Sequence, residues 1–316
     1  MILQSPKTRE NNDRKNFPKD CNNVRIFIYN YIKRKNIAIP EELMKRNKKS
    51  PEDFLVEKKN SFNCMINSEF TLVELKILCV YLSRINARDN ETRKVELPLN
   101  ELKTFIDAGK INITKFKGII KRLSKRQITI PIDKDYSQCI TYYLFDICKM
   151  LKTDGKWFLH LAAHDDTIPL MFNIKKGYVR YQVKNVLRLK TTYQIRMYEI
   201  LKQYKYLGKR EIKVDDLRAM LGISDTKYSR WDNFRNYVLE DCKEALAKYT
   251  DIRFDYHREG VDIGGKWVTI IFTIYDNPTS QKDQTPVSDD DDDDFGDTKL
   301  FDDDDDGDVD DCYMPF

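Results

Sequence analysis

The sequence has few of the residues that build metal centres. Only three histidines occur among the 316 residues, and none of the seven cysteines forms a Cys-x-x-Cys pair. Such an odd and unpatterned set of thiols argues against a disulfide scaffold and against a zinc site, and it favours a reducing compartment. We therefore expect a chain without a metal or another cofactor, located in the cytoplasm.

Long apolar runs are missing as well. No stretch reaches the roughly 20 apolar residues that a membrane-spanning helix requires. The first residues, 1–20, also lack the apolar segment of a secretory signal. We therefore expect no membrane among the partners of this protein.

Motifs of known enzyme classes are also absent. His160 and His164 are four residues apart, but the alternating residues 157–161 predict a strand, in which this spacing gives no pair of metal ligands. Residues 260–266 match the letters of a phosphate-binding loop, but Trp267 stands where that motif requires Ser or Thr, and the segment joins two predicted strands. We interpret it as a hairpin turn and predict that the protein is not an enzyme.

The net charge of +4 conceals two regions of opposite sign. Residues 277–316 contain sixteen Asp and two Lys, a net charge of −14, so that residues 1–276 carry +18. A body this basic favours a polyanionic partner such as nucleic acid. The acidic tail cannot bury an apolar core, and we expect it to be disordered.

The spacing of apolar residues predicts one order of elements twice. The first copy begins with a helix at 71–85, where Thr71 and Glu74 form the pattern of a capping box. It continues with a strand at 94–97, helices at 101–108 and 112–126, and strands at 127–132, 140–145 and 157–161. The second copy has a helix at 191–206, a strand at 210–214, helices at 215–221 and 228–249, and strands at 252–256 and 267–275.

This order, a helix, a strand, two helices and a hairpin, is that of a winged helix. The last helix of such a module enters the major groove of DNA, and the hairpin, or wing, reaches the neighbouring backbone. We predict an α+β protein with two tandem winged-helix domains, a partly disordered basic N-terminal extension and a disordered acidic C-terminal tail. The predicted bounds are 1–59 for the extension, 60–177 and 178–276 for the two domains, and 277–316 for the tail.

The predicted helix 112–126 is apolar on one side and cationic on the other. The apolar residues at three- and four-residue steps, which should face the core, are Ile113, Phe116, Ile120 and Leu123. The opposite side carries no Asp or Glu, which suits a groove lined by phosphates. Its candidate DNA-binding residues are Lys115, Lys117, Lys121, Arg122 and Lys125.

The predicted helix 228–249 changes in character along its length. Its acidic residues come late, whereas its beginning carries Arg and Asn, which pair well with guanine and adenine edges respectively. The candidate DNA-binding residues are Lys227, Arg230, Asn233, Arg235 and Asn236. On the predicted wing, Arg258 and Lys266 are candidates for phosphate contacts.

An ordered set of segments carries a family likeness. The set begins with Val56-Glu-Lys-Lys-Asn60 and residues 70–78, continues with Tyr193-Gln-Ile-Arg-Met-Tyr-Glu-Ile-Leu201 and residues 216–223, and closes with residues 228–239 and 267–274. In this order the segments resemble the iteron-binding replication initiators of plasmids and phages, whose members carry two winged-helix domains in tandem.

The resemblance implies a function. Such initiators bind repeated double-stranded sites at an origin, melt adjacent DNA and recruit replication factors, and many form dimers that repress their own promoter. Residues 227–236 match the second recognition helix of the family, and we expect base readout from Arg230, Asn233 and Arg235. The long basic extension and the acidic tail depart from the usual pattern of these initiators.

The tail carries a second likeness. Its acidic run, which includes Asp310 and Asp311, closes in Met314-Pro315-Phe316. This ending is similar to the C-terminal tips of bacterial single-strand-binding proteins, which dock on primase, helicase and repair enzymes. The resemblance implies that these five residues bind host replication proteins. A tethered polyanion would also compete with DNA for the basic body of the chain.

Two other functions remain open from the sequence. A replication protein that binds single-stranded DNA would need exposed aromatic residues on which bases stack. The tyrosines within residues 29–31 and 178–181 are candidates, but we expect them to pack in the core instead. A transcriptional repressor would bind a palindrome as a homodimer, whereas an initiator would bind direct repeats.

Overall fold

The computed structural model of the protein describes residues 54–66, 69–106, 112–133, 138–224, 226–261 and 267–278. The predicted N-terminal extension up to residue 53 lies outside this range. So do residues 279–316, which make up nearly all of the predicted acidic tail.

The first winged helix contains four helices and a three-stranded wing sheet, together with a separate hairpin. Its elements are β1 (Leu55–Lys59), α1 (Asn60–Asn63), α2 (Leu72–Arg84), β2 (Lys94–Pro98), α3 (Leu99–Phe105), α4 (Ile113–Leu123), β3 (Gln127–Pro131), β4 (Cys139–Tyr143), β5 (Phe145–Thr153) and β6 (Lys156–Ala163). Strand β6 lies between β2 and β5 in an antiparallel sheet. The hairpin β3–β4 pairs separately and is inserted between α4 and the β5–β6 wing.

The second winged helix has the same wing topology without the inserted hairpin, and residues 164–191 connect it to the first. The connection contains α5 (Ile168–Met171), β7 (Tyr178–Gln182) and α6 (Lys184–Leu187). The elements that follow are α7 (Thr192–Lys202), β8 (Lys209–Lys213), α8 (Val214–Leu221), α9 (Trp231–Phe234), a π-helical segment (Arg235–Glu240), α10 (Asp241–Tyr249), β9 (Ile252–Val261) and β10 (Trp267–Asp276). Strand β10 lies between β8 and β9, as β6 lies between β2 and β5. The predicted order of a helix, a strand, two helices and a hairpin is therefore confirmed in both copies, but β1, β5 and β7 were not predicted as strands.

Local sequence signals explain where several helices begin and end. Thr71 caps α2, and the Glu74 side chain accepts a hydrogen bond from the Thr71 backbone N–H, which completes the predicted capping box. Thr191 and Gln194 form a second capping box at the start of α7. Gly222 ends α8 with a φ of 68°, a left-handed conformation that glycine adopts without steric cost.

Four predicted helices have wrong bounds. Those predicted at 191–206 and 112–126 end earlier, at Lys202 and Leu123. Helix α3 begins at Leu99 and ends at Phe105, earlier than the predicted 101–108, and Gly109, the predicted stop, lies outside the described residues. The helix predicted from residue 228 begins only at Trp231. Tyr228 has a φ of 54°, which is incompatible with a right-handed helix. Residues 226–230 therefore form a turn before the helix.

A buried ionic network connects β1 with α7. Glu199 accepts hydrogen bonds from Lys58 at 2.6 Å and from Arg196 at 3.2 Å, and these residues are at most 1% exposed. Arg196 also donates to the carbonyls of Asn63 at 2.8 Å and Met65 at 3.1 Å. Burial acts to raise the pKa of Glu199, but the positive charges of Lys58 and Arg196 lower it overall. The buried charges are thus mutually compensated.

Strand β1 pairs with β7 rather than with either wing sheet. The two strands run antiparallel, with Leu55 opposite Gln182 and Lys59 opposite Tyr178. Tyr181 on β7 donates a 2.5 Å hydrogen bond to Glu199. These contacts cross the predicted borders after residues 59 and 177, and the domain bounds stay a prediction. Within the described residues, every helix is too short or too polar to cross a bilayer.

Candidate nucleic-acid interface

Helix α4 presents the predicted cationic face. Phe116, Ile119, Ile120 and Leu123 are buried on the side toward the core. The five candidate residues are all exposed, namely Lys115, Lys117, Lys121, Arg122 and Lys125. Asn112 caps the helix by accepting a hydrogen bond from the Lys115 backbone N–H at 2.8 Å. The helix carries no acidic side chain, so its exposed face is uniformly positive.

A buried carboxylate fixes α4 against α2. Glu74 is fully buried, and its two oxygens accept hydrogen bonds from Arg122 at 3.1 Å and from Arg126 at 3.0 Å. Arg122 therefore has a structural role in addition to its place on the cationic face. Lys117 lies 4.8 Å from the ring centroid of Trp157 on the wing strand β6. Lys115, Lys121 and Lys125 are the exposed cations of this face for which no such contact is seen within the described residues.

The corresponding helix of the second domain consists of α9, the π-helical segment and α10, and is called the long helix below. Arg230 is the residue directly before the first helical turn of the long helix, and Lys227 lies in the turn of the chain at residues 226–230. The side chains of Arg230 and Lys227 are both exposed. Asn233 and Asn236 are exposed on the helix itself. Arg235 is half-buried, with its Nε donating to Asn236 at 3.2 Å. The structure thus groups all five candidates at the start of the long helix.

Arg218 on α8 holds the turn that precedes the long helix. Its guanidinium donates hydrogen bonds to three backbone carbonyls, at 2.8 Å to Ser224, 2.7 Å to Lys227 and 3.1 Å to Tyr228. The guanidinium also lies 5.5 Å from the ring centroid of Phe234, the first buried residue of the long helix. One buried side chain therefore sets the position of both the turn and the helix. Residue types alone do not show this role, because the partners of Arg218 are backbone atoms.

An aromatic cluster covers one side of the same turn. The rings of Tyr228 and Tyr237 are stacked at 5.8 Å, and Tyr193 meets Tyr228 edge-on at 6.4 Å. Lys227 lies 5.4 Å from the Tyr193 ring centroid, and a hydrogen bond with Tyr193 raises the pKa of this lysine. Tyr237 remains 62% exposed on the long helix. It is a candidate contact that sequence reasoning missed, since its position depends on the turn.

A π-helical segment lies within the exposed part of the long helix. Its residues Val238 and Leu239 are completely buried. Its residues Asn236 and Tyr237 are exposed. Segments of this kind are uncommon and often occur at functional sites.

The remaining candidates belong to the wing and the tail. Arg258 on β9 lies 4.9 Å from the ring centroid of Trp231 and so connects the wing with the first residue of the long helix. Lys266 lies outside the described residues, as do the tail candidates Asp310, Asp311, Met314, Pro315 and Phe316.

Two winged helices in tandem, each with an exposed polar helix beside its wing, define a protein of the DNA-binding class. The chain belongs to the family of initiator replication proteins. Residues 55–202 match the family model described as "Initiator Replication protein, WH1", and residues 213–274 match the model described as "Initiator Rep protein, WH2". This membership confirms the family resemblance and the tandem winged-helix fold, and it makes the protein a replication initiator rather than an enzyme.

Two known proteins illustrate the likeness. The "Probable replication protein rep" of Bifidobacterium longum (strain NCC 2705) is 22% identical to this chain over 205 residues, which cover 64% of this chain and 67% of the relative. A solved structure, described as "Crystal structure of Pi initiator protein in complex with iteron DNA", has a TM-score of 0.56 and 16% identity. It covers 72% of this chain and 99% of the other chain. At this identity the structural similarity shows a shared fold.

Proposed function

We propose that this protein is a plasmid or phage initiator that binds direct repeats of double-stranded DNA at an origin through both winged helices. The observation that carries the proposal is the pair of helices with outward polar faces, one on α4 and one on the long helix. The DNA-bound state of the structurally similar Pi initiator supports the same use of the fold. A body with a net charge of +18 over residues 1–276 supplies the long-range attraction.

The two helices differ in the contacts that they can make. The lysines of α4 are flexible point charges, which suit phosphate oxygens and carry little sequence information. Arg230 and Asn233, at the start of the long helix, have the planar groups that pair in bidentate fashion with guanine and adenine. Asn236 and the half-buried Arg235 extend this set. We assign phosphate contacts chiefly to the first domain and base readout chiefly to the second.

The decisive experiment is a footprint on duplex DNA that includes direct repeats, repeated over a series of salt concentrations. We expect protection of each repeat, with an affinity that falls steeply as salt rises, since phosphate contacts release counterions. Protection of a palindrome by a homodimer would instead favour the repressor function. Preference for single strands without sequence specificity would contradict the proposal and favour single-strand binding.

We also propose that the acidic tail recruits a host replication protein such as primase or helicase. The support is the sequence of the tail, in which an acidic run precedes Met314-Pro315-Phe316. An apolar anchor next to acids suits a pocket with a basic rim. We expect purified primase or helicase to bind the full chain and to lose this binding when Phe316 is replaced by Ala. Equal binding by both forms would contradict the recruitment proposal and leave the DNA-binding function intact.

A further inference from the structure

Helix α4 contains a glycine at its centre that the fold does not require. Glycine is unfavourable in a helix interior because it loses more backbone freedom on folding than any other residue. Gly118 is not among the described glycines with positive φ, so its conformation is open to any residue. A Cβ added at Gly118 would have no heavy atom within 4 Å. Within the part of the chain that the structure describes, packing therefore does not explain the missing side chain.

The surroundings of Gly118 indicate what occupies that space. Thr114 and Lys115 lie one turn before it on the helix, and Lys121 and Arg122 lie one turn after it, so these residues are its neighbours on the helix surface. All four neighbours are exposed. Gly118 thus forms the floor of a shallow notch that three cationic side chains and one hydroxyl-bearing side chain surround. Such a frame attracts a polyanion rather than an apolar partner.

We propose that Gly118 is the point of closest approach between α4 and the sugar–phosphate backbone of a bound duplex. The inference rests on the proposed function and deepens it by naming a contact site. Where a ligand approaches the polypeptide backbone closely, glycine is the usual residue, because a side chain would hold the ligand away. A strand that settles into the notch would lie between the lysines at its rim, within reach of both.

The fixed position of α4 makes this contact sensitive to size. Arg122 and Arg126 hold the helix to the buried Glu74 at 3.1 and 3.0 Å, and Phe116 is completely buried beneath it. The helix therefore cannot move back easily to make room for a side chain at position 118. A larger side chain has to displace the DNA, which lengthens the contacts of the surrounding cations.

The test compares Gly118→Ala with Gly118→Leu in the full chain. Gly118→Ala should raise the Tm by about 2 °C, because alanine favours the helix and meets open space. The same variant should bind duplex DNA about tenfold more weakly, and Gly118→Leu more weakly still. The salt dependence of binding should fall, since displaced DNA makes fewer phosphate contacts. Ala247→Leu is the control, since Ala247 is exposed on α10, away from the start of the long helix.

The Tm and the duplex affinity of these variants together decide whether Gly118 contacts DNA. A higher Tm with unchanged duplex affinity would overturn the role of Gly118. If Lys121→Ala and Arg230→Ala nevertheless weaken duplex binding, the proposed function stands without a contact at Gly118. If neither substitution affects binding, the proposed function itself fails. A lower Tm for Gly118→Ala would show that glycine is needed for the fold, and this result would overturn the inference. An equal loss of duplex affinity in Ala247→Leu would show a general effect of added bulk, and this result would also overturn the inference.

Discussion

The two winged helices share one topology but differ in how their exposed helices are built. Helix α4 is a regular helix with cations along its outer face and no acid. The long helix begins after a turn that Arg218 holds, passes through a π-helical segment and carries acids only further along. The comparison teaches that charge alone can attract DNA, whereas reading a sequence requires planar groups held at fixed positions.

The largest expected effect concerns the network that connects the two halves of the molecule. Glu199→Ala should lower the free energy of unfolding by about 3–5 kcal/mol, because it leaves the buried Lys58 and Arg196 without their partner. Urea unfolding measures this loss. The control is Glu57→Ala on the same strand as Lys58, where Glu57 pairs with the more exposed Arg88 and Arg180. A similar loss in both variants would argue against a special role for the network.

The next largest effect should separate base readout from attraction. Arg230→Ala should weaken binding to the specific repeat by about 1–3 kcal/mol while leaving binding to random duplex nearly unchanged. Arg235→Ala should act in the same direction but less strongly, since its guanidinium is already engaged with Asn236 and Asp232. Competition between specific and random duplex measures the preference. An unchanged preference in both variants would show that these residues do not read bases.

Substitutions of a lysine on α4 and of Lys125, just after its end, should leave the preference for the specific repeat unchanged. Lys121→Ala and Lys125→Ala should weaken specific and random duplex equally, and each should reduce the slope of log affinity against log salt by about 1. Titrations at several salt concentrations measure that slope. Loss of sequence preference in these variants would remove the proposed division between the two domains.

The smallest expected effect comes from the acidic tail. Deleting residues 279–316 should tighten binding to random duplex several-fold at low salt, because a tethered polyanion no longer competes for the basic surface. The difference should shrink as salt screens the attraction. Unchanged or weaker binding at low salt would contradict this competition. A tail with its aspartates replaced by asparagines separates the effect of charge from that of length.

Much of the fold could be predicted because its signals are local. Thr71 with Glu74 determines the start of α2, and Gly222 determines the end of α8, through contacts within a few residues. The buried positions Phe234, Val238, Cys242 and Ala245 also follow from helical spacing. The start of the long helix could not be found in this way. It depends on a positive φ at Tyr228 and on hydrogen bonds from Arg218, ten residues earlier.

The candidate interface also has features that could be predicted from the sequence and features that could not. The residue types at the start of the long helix and along α4 were visible in the sequence, and the structure places them on exposed surfaces except for the half-buried Arg235. The contacts of Arg122 with Glu74 and of Arg258 with Trp231 were not visible, because they join residues that are distant in the chain. The stacking of Tyr237 on Tyr228 was equally hidden.

The sequence by itself determined the class of fold, the repeated order of elements and the separation of a basic body from an acidic tail. These properties follow from periodicity, capping residues and composition, which act over a few residues or over the whole chain. Only the tertiary structure decided which charges are buried, which cations remain exposed, and how the turn before the long helix is held. Those features depend on contacts between distant segments, such as Lys58 with Glu199, that no local pattern encodes.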